Sequence, residues 1–300
     1  FAMGFTGTMD DLEIAAGGAE INYSQHAVVL DSLMITSVAG MGGSREIQVS
    51  GDVVVNDAWN HVGPYGGTNC TINLTGGADQ SIAGMGVISY LKVSKSGGDV
   101  LLMDNLDLAN GSLSGSGYLK NTGGWVKLAG TFAMGFTGTM DDLEIAAGGA
   151  EINYSQDAVV LDSLTITSVG GMGGNKKIQV SGNVVVNDWW NHVGPYGGTN
   201  CTISLRGSTD QVLSGIGLAP YFEVSKPSGN VLLGSFNGSF GVITTSGAAF
   251  EAGIDLEGTT KTAASITMAG GKLIGTGTWN SSVTCNAGGG IAPGDSPGCM

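Results

Sequence analysis

Residues 70–102 read CTINLTGGADQSIAGMGVISYLKVSKSGGDVLL. At the start of this stretch Cys70, Ile72 and Leu74 alternate with Thr71 and Asn73, and the two-residue period returns in Leu91–Val93 and Val100–Leu102. An extended strand points successive side chains to opposite faces, so each of these segments has one apolar face and one polar face. Between them lie Gly76-Gly77-Ala78-Asp79 and Ser96-Gly97-Gly98-Asp99, made of residue types that supply turns. Short strands separated by Gly-rich corners, with no helical spacing over ten residues, predict an all-β chain.

The stretch occurs twice. Residues 201–233 read CTISLRGSTDQVLSGIGLAPYFEVSKPSGNVLL, and the copying extends upstream, where 1–74 matches 132–205 with nine differences. His26 becomes Asp157, Arg45-Glu46 becomes Lys176-Lys177, and Asp52 becomes Asn183, while Val53, Val55, Ile72 and Leu74 recur as Val184, Val186, Ile203 and Leu205. Polar positions drift and alternate apolar positions hold, the signature of a solvated face opposite a core. The organisation read from this is a first repeat over 1–131, a second over 132–245, and divergent coils over 246–300 that end in a Pro-Gly turn.

Composition agrees. Glycine contributes 54 of 300 residues, charged residues only 12%, and hydrophobic residues 42%, which is too apolar for a disordered chain. Glycine does not recur at every third place, so collagen is excluded. A net charge of −14 with 11 Lys and Arg argues against nucleic acid and against an anionic membrane surface. No apolar run reaches the roughly 18–20 residues that span a bilayer, so membrane insertion of this segment is not expected.

A tandem copy suits a fold in which each unit touches only its neighbours. Hairpin signals are few, Asn110-Gly111 and Asn237-Gly238 among them. A parallel β-solenoid is therefore expected, with antiparallel β-sandwich repeats as the alternative. Coils of about 20–22 residues, stacked about 4.8 Å apart, would give roughly 30 Å per repeat, and hence a rod.

The spacing of Gly76, Gln80, Ile82 and Gly84, followed by Leu91, Val93, Lys95 and Gly98, resembles the repeat units of bacterial autotransporter-passenger and adhesin-like β-helix proteins. Gly207, Gln211, Leu213 and Gly215, then Phe222, Val224, Lys226 and Gly229, repeat it. The tail from Ile291 to Gly298 (IAPGDSPG) is similar to the Pro-Gly turn of that family. The resemblance implies a β-helix outside the cell or on its surface.

Candidate sites are few. The segments NDAWNHVGPYGGTNC (56–70) and NDWWNHVGPYGGTNC (187–201) gather Trp59, His61 and Tyr65, and Trp189, Trp190, His192 and Tyr196. Such rings suit sugar stacking or a subunit contact, and equally a plug over a wide coil, since most recur as scaffold residues would. Neither histidine has partners at metal-ligand spacing. The acidic groups Asp10, Asp11, Glu13 and Asp141, Asp142, Glu144 lack a calcium-loop pattern and are expected to be solvated. Cys70 and Cys201 are expected to point inward, while Cys285 and Cys299 form a candidate disulfide. No cofactor, metal or catalytic group is expected. The expected role is an extracellular structural or adhesive element, stacking end to end or contacting other surface proteins. The alternative is a module that binds or cleaves polysaccharide through the Trp/Tyr loops.

Overall fold

The structure, a computed structural model, describes residues 2–58, 69–189, 200–245 and 252–294. Among the described residues every regular element is a strand and none is a helix. The strands stack in parallel from coil to coil, so the fold is a parallel β-solenoid and not a pair of face-packed antiparallel sheets. Two compact units are formed, 1–141 and 142–300.

In the first unit one ladder climbs through Ala27, Ile47, Ile72, Leu91, Leu113 and Met134, each in parallel register with the next. These six side chains are at most 2% exposed. Their sequence neighbours Val28, Gln48, Asn73, Lys92, Ser114 and Gly135 form the alternate rungs. A second ladder passes through Leu12, Leu33, Val53, Ile82 and Leu102. The third contains Ala2, Asn22 and Gly42 on one side and Ile88, Leu108 and Leu128 on the other. Three short strands per turn, alternating inside and outside, are what the two-residue periodicity dictates once corners allow them.

Gly51 makes one such corner, between strands Glu46–Val49 and Asp52–Val55. A Cβ there would lie 1.5 Å from the Asp31 carbonyl oxygen of the coil beneath, so only glycine lets the two backbones approach.

The second unit repeats the plan. Ala158, Ile178, Ile203, Phe222, Ile243 and Ile266 form one in-register ladder, again at most 2% exposed. Beyond the copied region aromatic rings fill the interior. The Phe240 ring lies 4.8 Å from Phe236 and 5.3 Å from Phe222, in tilted contacts. Each fully buried aliphatic or Phe side chain contributes about 1.5–3 kcal/mol relative to its exposed state, so the ladders dominate the stability of each unit.

Candidate functional site

The structure defines the residues that flank the two aromatic segments singled out in the sequence. Ala58 bridges Val87 and Gly42 bridges Asn69, while in the second unit Trp189 bridges Leu218 and Gly173 bridges Asn200. An aspartate clamps each N-terminal flank. Asp57 accepts from Val38 N at 2.7 Å and from Ala58 N at 2.8 Å; Asp188 accepts from Val169 N and Trp189 N, both at 2.8 Å. Trp59, His61, Tyr65, Trp190, His192 and Tyr196 lie outside the described residues. Trp189, in place of Ala58 of the first copy, is 56% exposed beside Ile216, itself 72% exposed. Together with Asn187, Asp188, Leu218 and Ser239 they line a recess of about 250 Å³.

The Gly/Gln/Lys pattern turns out to be a corner staple. Gln80 is 1% exposed, and its Nε2 donates to Val49 O at 3.0 Å and Gly51 O at 2.6 Å on the preceding coil. Its Oε1 accepts from Gly76 N at 3.1 Å and from Lys95 Nζ at 2.7 Å on the next. One amide thereby ties three coils together. Gln211 does the same with Val180 O, Gly182 O and Gly207 N. Lys226, fully buried, donates to Gly207 O, Thr209 O and Gln211 Oε1 at 2.8, 2.8 and 2.6 Å. Burial pushes the Lys226 ammonium down to about 8, against the opposing attraction of Asp210. Desolvation lowers Lys95 as well, with Asp79 and Asp99 opposing it. All three donors of the Lys226 ammonium meet a fixed acceptor, and Lys95 meets two, Ala78 O and Gln80 Oε1, which suits tying coil to coil. The signal lay in the sequence, since Gln and Lys stand 15 residues apart in both copies.

Cys70 and Cys201 are fully buried, and each thiol donates to a glycine carbonyl, Gly42 or Gly173, at 3.0 Å. Burial pushes them up to about 11 and about 12, so neither is a nucleophile at neutral pH. Cys285 is exposed, and its suggested partner Cys299 lies outside the described residues.

One acidic group departs from expectation. Asp141 is 8% exposed, not solvated, because the strand Tyr118–Asn121 pairs beside it and supplies donors. Its carboxylate accepts from Tyr118 OH at 2.5 Å and from Asn121 N at 2.8 Å. Its counterpart Asp10 is exposed. Among the described residues no group of three or more His, Cys, Asp or Glu side chains is placed to hold a metal ion.

The fold is thus a repeat-built parallel β-solenoid whose polar interior groups tie coil to coil. Comparison with protein-family models, curated proteins and solved structures finds no match.

Proposed function

We propose that this chain is an extracellular structural or adhesive β-solenoid, a surface stalk or filament subunit that associates end to end. The observation that carries the reading is the pairing of inward ladder residues that recur with polar positions that drift. Across nine differences in 74 aligned pairs, the inward ladder residues recur and the buried Gln80 and Gln211 staples are duplicated. A coil whose ends present unpaired strand groups is a template for another coil, and a contact that does not close on itself builds fibres. The resemblance of the Gly/Gln/Lys units to adhesin-like surface proteins supports the same role. Its buried ammonium and amide groups serve cohesion between coils, as a structural element requires.

Negative-stain electron microscopy of the purified protein, diluted through the micromolar range, tests the proposal. Fibres or particles several chains long are expected, with length rising with concentration. A strictly monodisperse monomer at every concentration contradicts end-to-end association.

A further inference from the structure

At one corner of the first unit, the surface carries a recess of about 430 Å³ lined by Gly84, Met85, Asp104, Asn105, Asp107, Gly123 and Trp125. Trp125 is 40% exposed and Met85 90% exposed. Trp125 thus presents part of its indole at the surface of this corner, beside an apolar neighbour.

The recess is held in place from below. Asp104 Oδ2 accepts from Gly84 N at 2.9 Å. The backbone of Trp125 is fixed at both ends, its N–H donating to Asn105 Oδ1 at 3.4 Å and its carbonyl accepting from Leu106 N at 2.9 Å. Asp107 is the polar group at its margin. Its Oδ1 is buried with no hydrogen-bond partner among the described residues, and its Oδ2 is 3.9 Å from Lys127 Nζ, with the side chain 34% exposed. With Oδ1 shielded, the exposure of the Asp107 side chain falls on the Oδ2 side, which is open to a donor from outside.

The polar lining does not recur in the second copy, where Asp104, Asn105 and Asp107 are met 131 residues later by Ser235, Phe236 and Gly238. The recess therefore belongs to one unit only, and the fold does not require it.

We propose that this recess binds one pyranose unit of a neutral polysaccharide. The apolar face of a pyranose stacks on the exposed part of the indole, Asp107 Oδ2 accepts a sugar hydroxyl, and the Asn105 amide donates to another. Uronic acids and sulfated sugars are disfavoured by Asp104 and Asp107 in a chain of net charge −14. The site goes beyond the structural role and is independent of it, since sugar binding is measured on dilute chains whether or not they form fibres.

Trp fluorescence and indole N–H chemical shifts of the full chain, titrated with cellohexaose, mannohexaose, a hexagalacturonate and tetramethylammonium, test the proposal. Saturable binding of at least one neutral hexasaccharide is expected, with a Kd on the order of 1 mM for a single shallow subsite. Trp125→Ala should weaken it about tenfold or more and Asp107→Asn about threefold to tenfold, while Trp189→Ala leaves it unchanged. Circular dichroism of each variant verifies folding. Should Trp125→Ala not fold, Trp125→Phe, which keeps a ring, should still bind with reduced affinity. No binding of either neutral sugar at 10 times that concentration, binding indifferent to Trp125 and Asp107, or binding only of hexagalacturonate or tetramethylammonium would each overturn it.

Discussion

Lys177 Nζ sits 2.7 Å from Glu223 Oε2 and joins strands two coils apart. On the strand between them, Ser204 Oγ donates to the same carboxylate at 2.6 Å. The first unit holds the arrangement with its charges exchanged. There Lys92 Nζ lies 2.9 Å from Glu46 Oε1, and Asn73 Nδ2 donates to Glu46 Oε2 at 2.8 Å. Lys177 occupies the place of Glu46, and Glu223 the place of Lys92. A change at one position alone sets two like charges side by side. Both changed, and attraction was kept.

Lys177→Glu should therefore destabilise its unit by about 2–3 kcal/mol, because Glu223, only 6% exposed, loses its partner and meets a second carboxylate. Lys177→Glu with Glu223→Lys should recover most of that loss, reproducing the polarity of the first unit. Urea unfolding followed by circular dichroism measures both. A double variant no more stable than the single one contradicts the pairing.

Glu46 also sets an acid dependence. Burial alone would raise its carboxyl, but the hydrogen bonds from Lys92 and Asn73, with the Lys92 charge, outweigh it and hold the group below its ordinary value. A carboxyl lowered on folding contributes stability above its unfolded pKa and loses it as pH falls through the folded value. Glu46→Gln should accordingly be less stable than the parent at pH 7, with the difference shrinking as pH falls below about 4.3, the unfolded glutamate value, and gone only below the lower folded value. Urea midpoints collected between pH 3 and 7 report it.

Much of this architecture was legible from residues 70–102, because a two-residue period and Gly-rich corners leave few alternatives once a tandem copy is recognised. Parallel stacking followed from the shortage of hairpin turns. Less legible were the groups that act across coils. Lys226 reads as a surface lysine in sequence, yet it is buried because its acceptors, Gly207 O and Thr209 O, are backbone atoms a coil away. Asp141 and Asp10 occupy the same position in near-identical segments, and only the strand Tyr118–Asn121 packed beside one of them makes it a buried acceptor. Trp125 was not singled out, since nothing in its neighbours reveals that the corner beneath it is concave. Aromatic content drew attention to residues 56–70 and 187–201 instead.

Lys226→Met should cost about 2–4 kcal/mol by stranding the Gly207 and Thr209 carbonyls and leaving the Gln211 amide oxygen only its bond from Gly207 N. The parent chain should also show a pH effect that the variant lacks. With the folded ammonium titrating at about 8 and the unfolded one near 10.4, the unfolded chain holds the extra proton between these values. Stability therefore rises with pH across that window. Urea midpoints of parent and variant from pH 7 to 10.5 show the difference, and a parent curve that falls relative to the variant refutes it.

Tyr154 carries a hydroxyl that is buried without a partner among the described residues, as does its counterpart Tyr23. Desolvation raises both phenols, Tyr154 well above the usual tyrosine range. Removing an unsatisfied buried hydroxyl while keeping the ring should be neutral or stabilising by up to about 1 kcal/mol. Tyr154→Phe should thus match or exceed the parent in thermal unfolding, and a clear loss would reveal a partner for the hydroxyl.

In-register parallel stacking is the claim on which ladders, staples and exchanged ion pairs all rest, and cysteine cross-linking tests it most directly. Thr165 pairs with Val185, and both are half-buried rungs of the second unit. With Cys285 and Cys299 replaced by Ser, the Thr165→Cys/Val185→Cys chain should form an intramolecular disulfide under mild oxidation, detected by mass. The shifted pair Thr165→Cys/Asn183→Cys should not. A disulfide in the shifted pair alone, or in neither, contradicts stacked parallel coils.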